Sequence, residues 1–212
     1  MGKVQGVKEK LHYPIYDAFL VPKETDTFQS KLTDPRMIRF FVDVQNKTRL
    51  ETNLQASGVL PSLNTFEARA MRVVVSSPEG RRPIDSQDFN EAGFLTDLIY
   101  SSVTTLLVGE KTMIEMPTFF FPSGAGVSQG TGSPLTGVIL NHGQADPMST
   151  FRFAEPVIIE PQQNFRVEIS FPQGVPGQTQ PGTNPDPNKL AGVKGPFRIW
   201  VVLDGYLTRD VQ

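Results

Sequence analysis

This chain of 212 residues predicts an all-β domain, an antiparallel sandwich or barrel of about eight strands with one short helix and long loops. Three observations point there. Several short segments alternate apolar and polar side chains, the period of a half-buried strand. Gly and Pro number 18 each, above the ~12% usual for the pair, and 15 Phe dominate the aromatics. No strand–helix–strand rhythm runs through the sequence. With eight antiparallel strands, the commonest closure is a single jelly roll.

The elements follow in order. Residues 1–37 show no sustained period and carry Pro14, Pro22 and Pro35. They read as an extended N-terminal arm with one short strand around Tyr16 to Val21. A single domain then fills 38–212. "MIRFFVDVQ" (Met37–Gln45) puts Ile38, Phe40, Val42 and Val44 on one face of a strand. After a polar connection, "TFEARAMRVVVS" (Thr65–Ser76) is a long strand with Phe66, Ala68 and Ala70 on one side and Glu67 and Arg69 on the other.

The helix is predicted in "SQDFNEAGFLTDLIYSS", where Asp88 and Glu91 have capping-box spacing and Phe94, Leu95, Leu98 and Ile99 recur at helical intervals. "VTTLLVGEKTMIEMPTFFF" favours two strands about Gly109-Glu110, the second ending in Phe119, Phe120 and Phe121. Alternation forces one of those rings onto the face opposite its neighbours, so both faces are expected to be covered. A Gly/Ser loop (122–137), a short strand "GVIL" and strand pieces either side of Pro156 follow. "NFRVEISF" and "FRIWVVLDGYLTRDVQ" alternate most cleanly, and the loop between them, 172–196, holds six Pro and five Gly. A loop of that length is functional or disordered as a rule.

Composition excludes several kinds of chemistry. There is no cysteine, hence no disulfide framework, thiol nucleophile or Cys-based zinc site. A formal charge of −2 gives no nucleic-acid signal, and Lys3, Lys8 and Lys10 form only a local basic patch. No signal-peptide core or membrane-length apolar run is present, and the sequon Asn46-Lys47-Thr48 stands without a secretion signal.

Gly126-Val127-Ser128-Gln129-Gly130 matches the nucleophile-elbow pattern. That motif needs a following helix and then an acid and a histidine. Pro134 stands close behind, and no acid separates Ser128 from the one downstream histidine, His142. Gly124, Gly126, Gly130 and Gly132 miss the dinucleotide spacing. His12 and His142 form no close metal-binding pair, and Glu155, Glu160, Asp204 and Asp210 are scattered carboxylates. The reading is therefore non-enzymatic, with no cofactor, metal or small-molecule substrate. A hydrolase using Ser128 or a carboxylate pair is the reading set against it. A carbohydrate-binding sandwich, with Trp200 or Tyr206 as a stacking platform, is the alternative function.

"ETNLQASGVLPSLNTFEARAMRVVV" (Glu51–Val75) resembles the segment entering an early barrel strand in jelly-roll major capsid proteins of tailless icosahedral viruses with an internal membrane. "VIIEPQQNFRVEISFP" and "RIWVVLDGYLTRDVQ" are similar to the closing strands of those proteins. The length suits one vertical single jelly roll, a departure from the double barrel of many relatives that leaves a major or a minor, penton-like role open. The resemblance implies a structural virion protein, made in a host cytoplasm. It also implies three partners: copies of itself, other capsid proteins and the surface of an internal membrane. The candidate subunit-interface residues are Phe119, Phe120, Phe121, Trp200 and Tyr16.

Overall fold

The spine of the molecule is its last strand. In the computed structural model, which describes residues 8–61, 63–75, 91–121, 150–179 and 183–210, β9 (Phe197–Asp210) runs for 14 residues. Phe197, Ile199, Val201, Leu203 and Leu207 point into the core, and the alternating positions face outward. The chain places β1 (Lys8–His12) and β2 (Ile15–Val21) end to end along one side of it, and β4 (Thr65–Val75) along the other. Beyond β4 lies β7 (Phe151–Ile159), which completes the larger sheet.

The second sheet has the order β3 (Met37–Phe40), β8 (Phe165–Ser170), β5 (Val103–Val108), β6 (Lys111–Pro117). All pairings are antiparallel. From β2 onward the chain crosses between the sheets after every strand except at the β5–β6 hairpin. Among the described residues, the order 2-9-4-7 facing 3-8-5-6 is the jelly roll, reached by eight strands with β1 added as a ninth.

Between the sheets, Phe28, Phe40, Phe41, Phe66, Phe121, Phe171 and Phe197 are fully buried. Each such ring contributes about 1.5–3 kcal/mol relative to exposure. Phe28 is delivered by the four-residue helix α1 (Phe28–Lys31), whose Thr27 and Ser30 cap each other reciprocally. Its ring packs edge-on to Phe171 and stacks on Phe197. The longer helix α2 (Glu91–Ser101) buries Leu98.

Several expectations need correcting. Residues 8–37 do not stand apart as an arm. β1 and β2 extend the larger sheet, and Ile15, Ala18, Val21 and Phe28 belong to the core. β1 escapes notice because its sequence, KEKLH, has no apolar face; its backbone is held by the overhang of β9. The strand from Met37 stops at Phe40 because Phe41 takes φ 69° and turns the chain away. Phe41 still buries its ring against Phe165.

On β4, Phe66 and Ala68 point inward as expected, but farther along Met71 and Val73 do so. An irregularity between Ala68 and Ala70 shifts the phase. β7 runs as one strand through Pro156, although its pairing with β4 breaks off over 153–156, between the two pieces expected. Phe119–Phe121 do not close a strand, since the chain leaves β6 at Pro117 and makes a 3-10 turn over Thr118–Phe120. Within 172–196, Val175, Leu190, Ala191 and Val193 are buried and anchor the loop to the core, while Pro172, Gln173 and residues 186–189 are exposed. Ser128, His142, the Gly/Ser loop, the strand "GVIL" and Asp88 lie outside the described residues.

Candidate functional site

The outer face of the larger sheet carries a groove of about 530 Å³ where the β4 ladder is interrupted on both sides. Toward β9, Ala68 pairs with Gly205 and Ala70 with Asp204, so Arg69 is an extra residue. Toward β7, Ala68 pairs with Val157 and Ala70 with Arg152, so residues 153–156 stand opposite Arg69 alone. Pro156 has no N–H to give to the ladder, which fits its place in this gap. Bulges of this kind re-aim side chains.

Four strands supply the polar lining. β9 presents Asp204 and Tyr206, and β1 presents His12, which is in register with Tyr206. Arg152 comes from β7 and Arg69 from the bulge. Phe153, Ala154 and Pro156 form the apolar wall. His12 Nε2 lies 2.6 Å from Asp204 Oδ1, and Arg72 Nη2 approaches the other carboxylate oxygen at 4.0 Å.

Lys10 and Arg69, from the two strands flanking β9, each lie 4.9 Å over the Tyr206 ring. Glu67 accepts from Lys10 and, at 2.7 Å, from Arg69 Nε, and these two cations hold its carboxyl below the usual range. Arg152 is exposed and has no carboxylate partner among the described residues. The groove lining thus sets Arg69 and Arg152 against the single carboxylate of Asp204, while Lys10, Glu67 and Arg72 contact its lining residues.

A second feature lies on the side of the sandwich where β6 and β7 are the outermost strands. Ring contacts run from Tyr100 to Phe119 (5.8 Å), Phe119 to Phe120 (4.7 Å), Phe120 to Phe151 (6.3 Å) and Phe151 to Phe153 (6.1 Å). Tyr100 is 68% exposed, Phe119 44% and Phe120 45%. A buried hydroxyl chain fixes the turn that presents them. Ser102 Oγ donates to Leu98 O at 2.6 Å, and Thr118 Oγ1 lies within hydrogen-bond distance of both Ser102 Oγ and Thr104 Oγ1. The Val73 N–H donates to Phe121 O, pinning the end of the turn to β4.

The structure does not gather the sequence-predicted interface residues into one place. Phe119 and Phe120 share the aromatic run, while Phe121 is fully buried beneath it. Trp200 and Tyr16 lie on the opposite part of the larger sheet and hold the 41–60 connection. The indole N–H of Trp200 donates to Leu50 O at 2.9 Å, and the Tyr16 hydroxyl donates to Arg49 O. The Tyr206 ring is flanked by two cations, and the Trp200 indole N–H is taken by Leu50 O.

Among the scattered carboxylates, Asp204 enters the groove, whereas Asp210 pairs in register with Lys8 at the sheet end. No sequence signal linked His12 to Asp204, because their meeting depends on how β1 registers on β9. Among the described residues no group of three or more His, Cys, Asp or Glu could hold a metal ion, and no helix is long and apolar enough to cross a membrane. No family model matches the chain, and no curated protein or solved structure is significantly similar to it.

Proposed function

We propose that the protein is a structural shell subunit, a capsid protein whose principal partners are copies of itself, as the sequence resemblance implies. Other capsid proteins and an internal membrane surface belong to the same proposal. The observation that carries this reading is the exposed aromatic run through Tyr100, Phe119 and Phe120 on a rigid jelly roll. Contiguous exposed rings of this kind mark interaction surfaces.

The run lies beside β6 and β7, each paired on one side only among the described residues. A second copy meeting this side would cover the rings and shield both edges, which otherwise invite uncontrolled strand pairing. Closed symmetry repeats such a contact, and a specific interface buries about 1,600 Å² in total.

Size-exclusion chromatography with light scattering tests the reading. The wild-type chain is expected to form discrete oligomers, with ring-like capsomers visible by negative-stain electron microscopy. Phe119→Ser with Phe120→Ser is expected to give folded monomers with the circular dichroism of the wild type, since both rings are half-exposed. A wild type that remains monomeric at high concentration would overturn it.

A further inference from the structure

We propose that the groove on the larger sheet binds a sugar acid, a hydroxylated ring bearing one carboxylate. The inference goes beyond shell assembly and uses different residues from the aromatic run. The groove leaves hydrogen-bonding capacity open. Arg152 offers a planar guanidinium with no carboxylate partner among the described residues, while Arg69, held by Glu67, adds positive charge to the same lining from across the widened ladder. Guanidinium groups match carboxylates in two-point geometry.

Asp204 lies on the same wall and accepts only, so it favours a ligand that also brings hydroxyl donors. The same carboxylate repels a doubly charged phosphate or sulfate more than a single carboxylate. His12, already on Asp204, can serve either role with its ring. Phe153, Ala154 and Pro156 give an apolar strip suited to the C–H face of a pyranose. The volume, about 530 Å³, is in the range of small-ligand pockets and has room for one or two sugar rings. Recognition here rests on charge and hydroxyl contacts, since Lys10 and Arg69 already flank the Tyr206 ring.

The test is an NMR or calorimetric titration of the full chain, under conditions that keep it dispersed, so its outcome is separate from assembly. Glucuronate and galacturonate are the probes; glucose, galactose and inorganic phosphate are the comparisons. Saturable binding of a uronate is expected below roughly 20 mM, weakened about tenfold or more in Arg152→Gln and less in Arg152→Lys. Arg152 is exposed on an outer strand, so both variants should retain the wild-type melting temperature. Phosphate binding as tightly as the uronates would reduce the groove to a general anion patch and overturn the proposal. Neutral sugars binding equally well, or no saturable binding by either uronate, would overturn it too.

Discussion

The Lys47 ammonium reaches both oxygens of the Asp17 carboxylate at 2.8 Å, and that carboxylate is fully buried. Asp17 also accepts the Phe41 N–H at 2.7 Å, the backbone group that the left-handed turn removes from the β3 ladder. One side chain therefore joins β2 to the start of the connection that carries Leu50 beneath Trp200.

Removing that carboxylate leaves a part-buried ammonium and a buried N–H without their acceptor. Asp17→Ala is expected to lose about 3–5 kcal/mol in urea unfolding, and Asp17→Asn less because its amide oxygen can still take the Phe41 N–H. Burial is the largest influence on Asp17 and raises its carboxyl above the ordinary 3.8, against Lys47, the Phe41 N–H and Thr52. Between those two values the native chain holds a proton that the unfolded chain has released. This group's contribution to stability therefore falls as pH rises through the window, and Asp17→Asn should remove that slope.

Glu51 carries the opposite sign. Burial would raise its carboxyl, but the Thr48 N–H at 2.8 Å, the Thr48 hydroxyl at 3.0 Å and Arg198 outweigh it and hold the group below 4.5. Its stabilisation is present above the ordinary glutamate value and is lost as pH falls through the depressed native value. Glu51→Gln should cost about 1–2 kcal/mol at neutral pH, with the gap to wild type narrowing in acid. Urea midpoints measured from pH 7 to pH 3 check both the cost and the narrowing.

Gly205 faces β4 where the extra residue Arg69 is accommodated. A Cβ there would lie 2.0 Å from Glu67 O and 3.0 Å from Ala68 Cα, both backbone atoms of a central strand. Gly205→Ala is expected to destabilise by about 3 kcal/mol or more and to disturb the groove. A lowered melting temperature, together with shifted NMR signals of His12 and Tyr206, would show both effects; an unshifted melting temperature would contradict the packing.

Much of the fold was legible in local sequence. Phe165, Val167 and Ile169 on β8, and Phe197 through Leu203 on β9, alternate so strictly that only one face of each strand can turn inward. The turn at Gly109-Glu110 and the helix ending at Ser101 were likewise readable from period and punctuation. The fold class follows from such segments, because apolar period is a property of neighbours in the chain. The tertiary structure alone decided what depends on residues distant in sequence. KEKLH is a strand because β9 overhangs it, and Phe41 can turn left-handed because Asp17 takes its N–H. His12 and Asp204, 192 residues apart, meet at 2.6 Å because two strands happen to share a register. The candidate groove exists because the ladder on either side of Arg69 breaks at the same level. Hydrogen-bond register between strands is a collective outcome of packing, and no single stretch of residues encodes it.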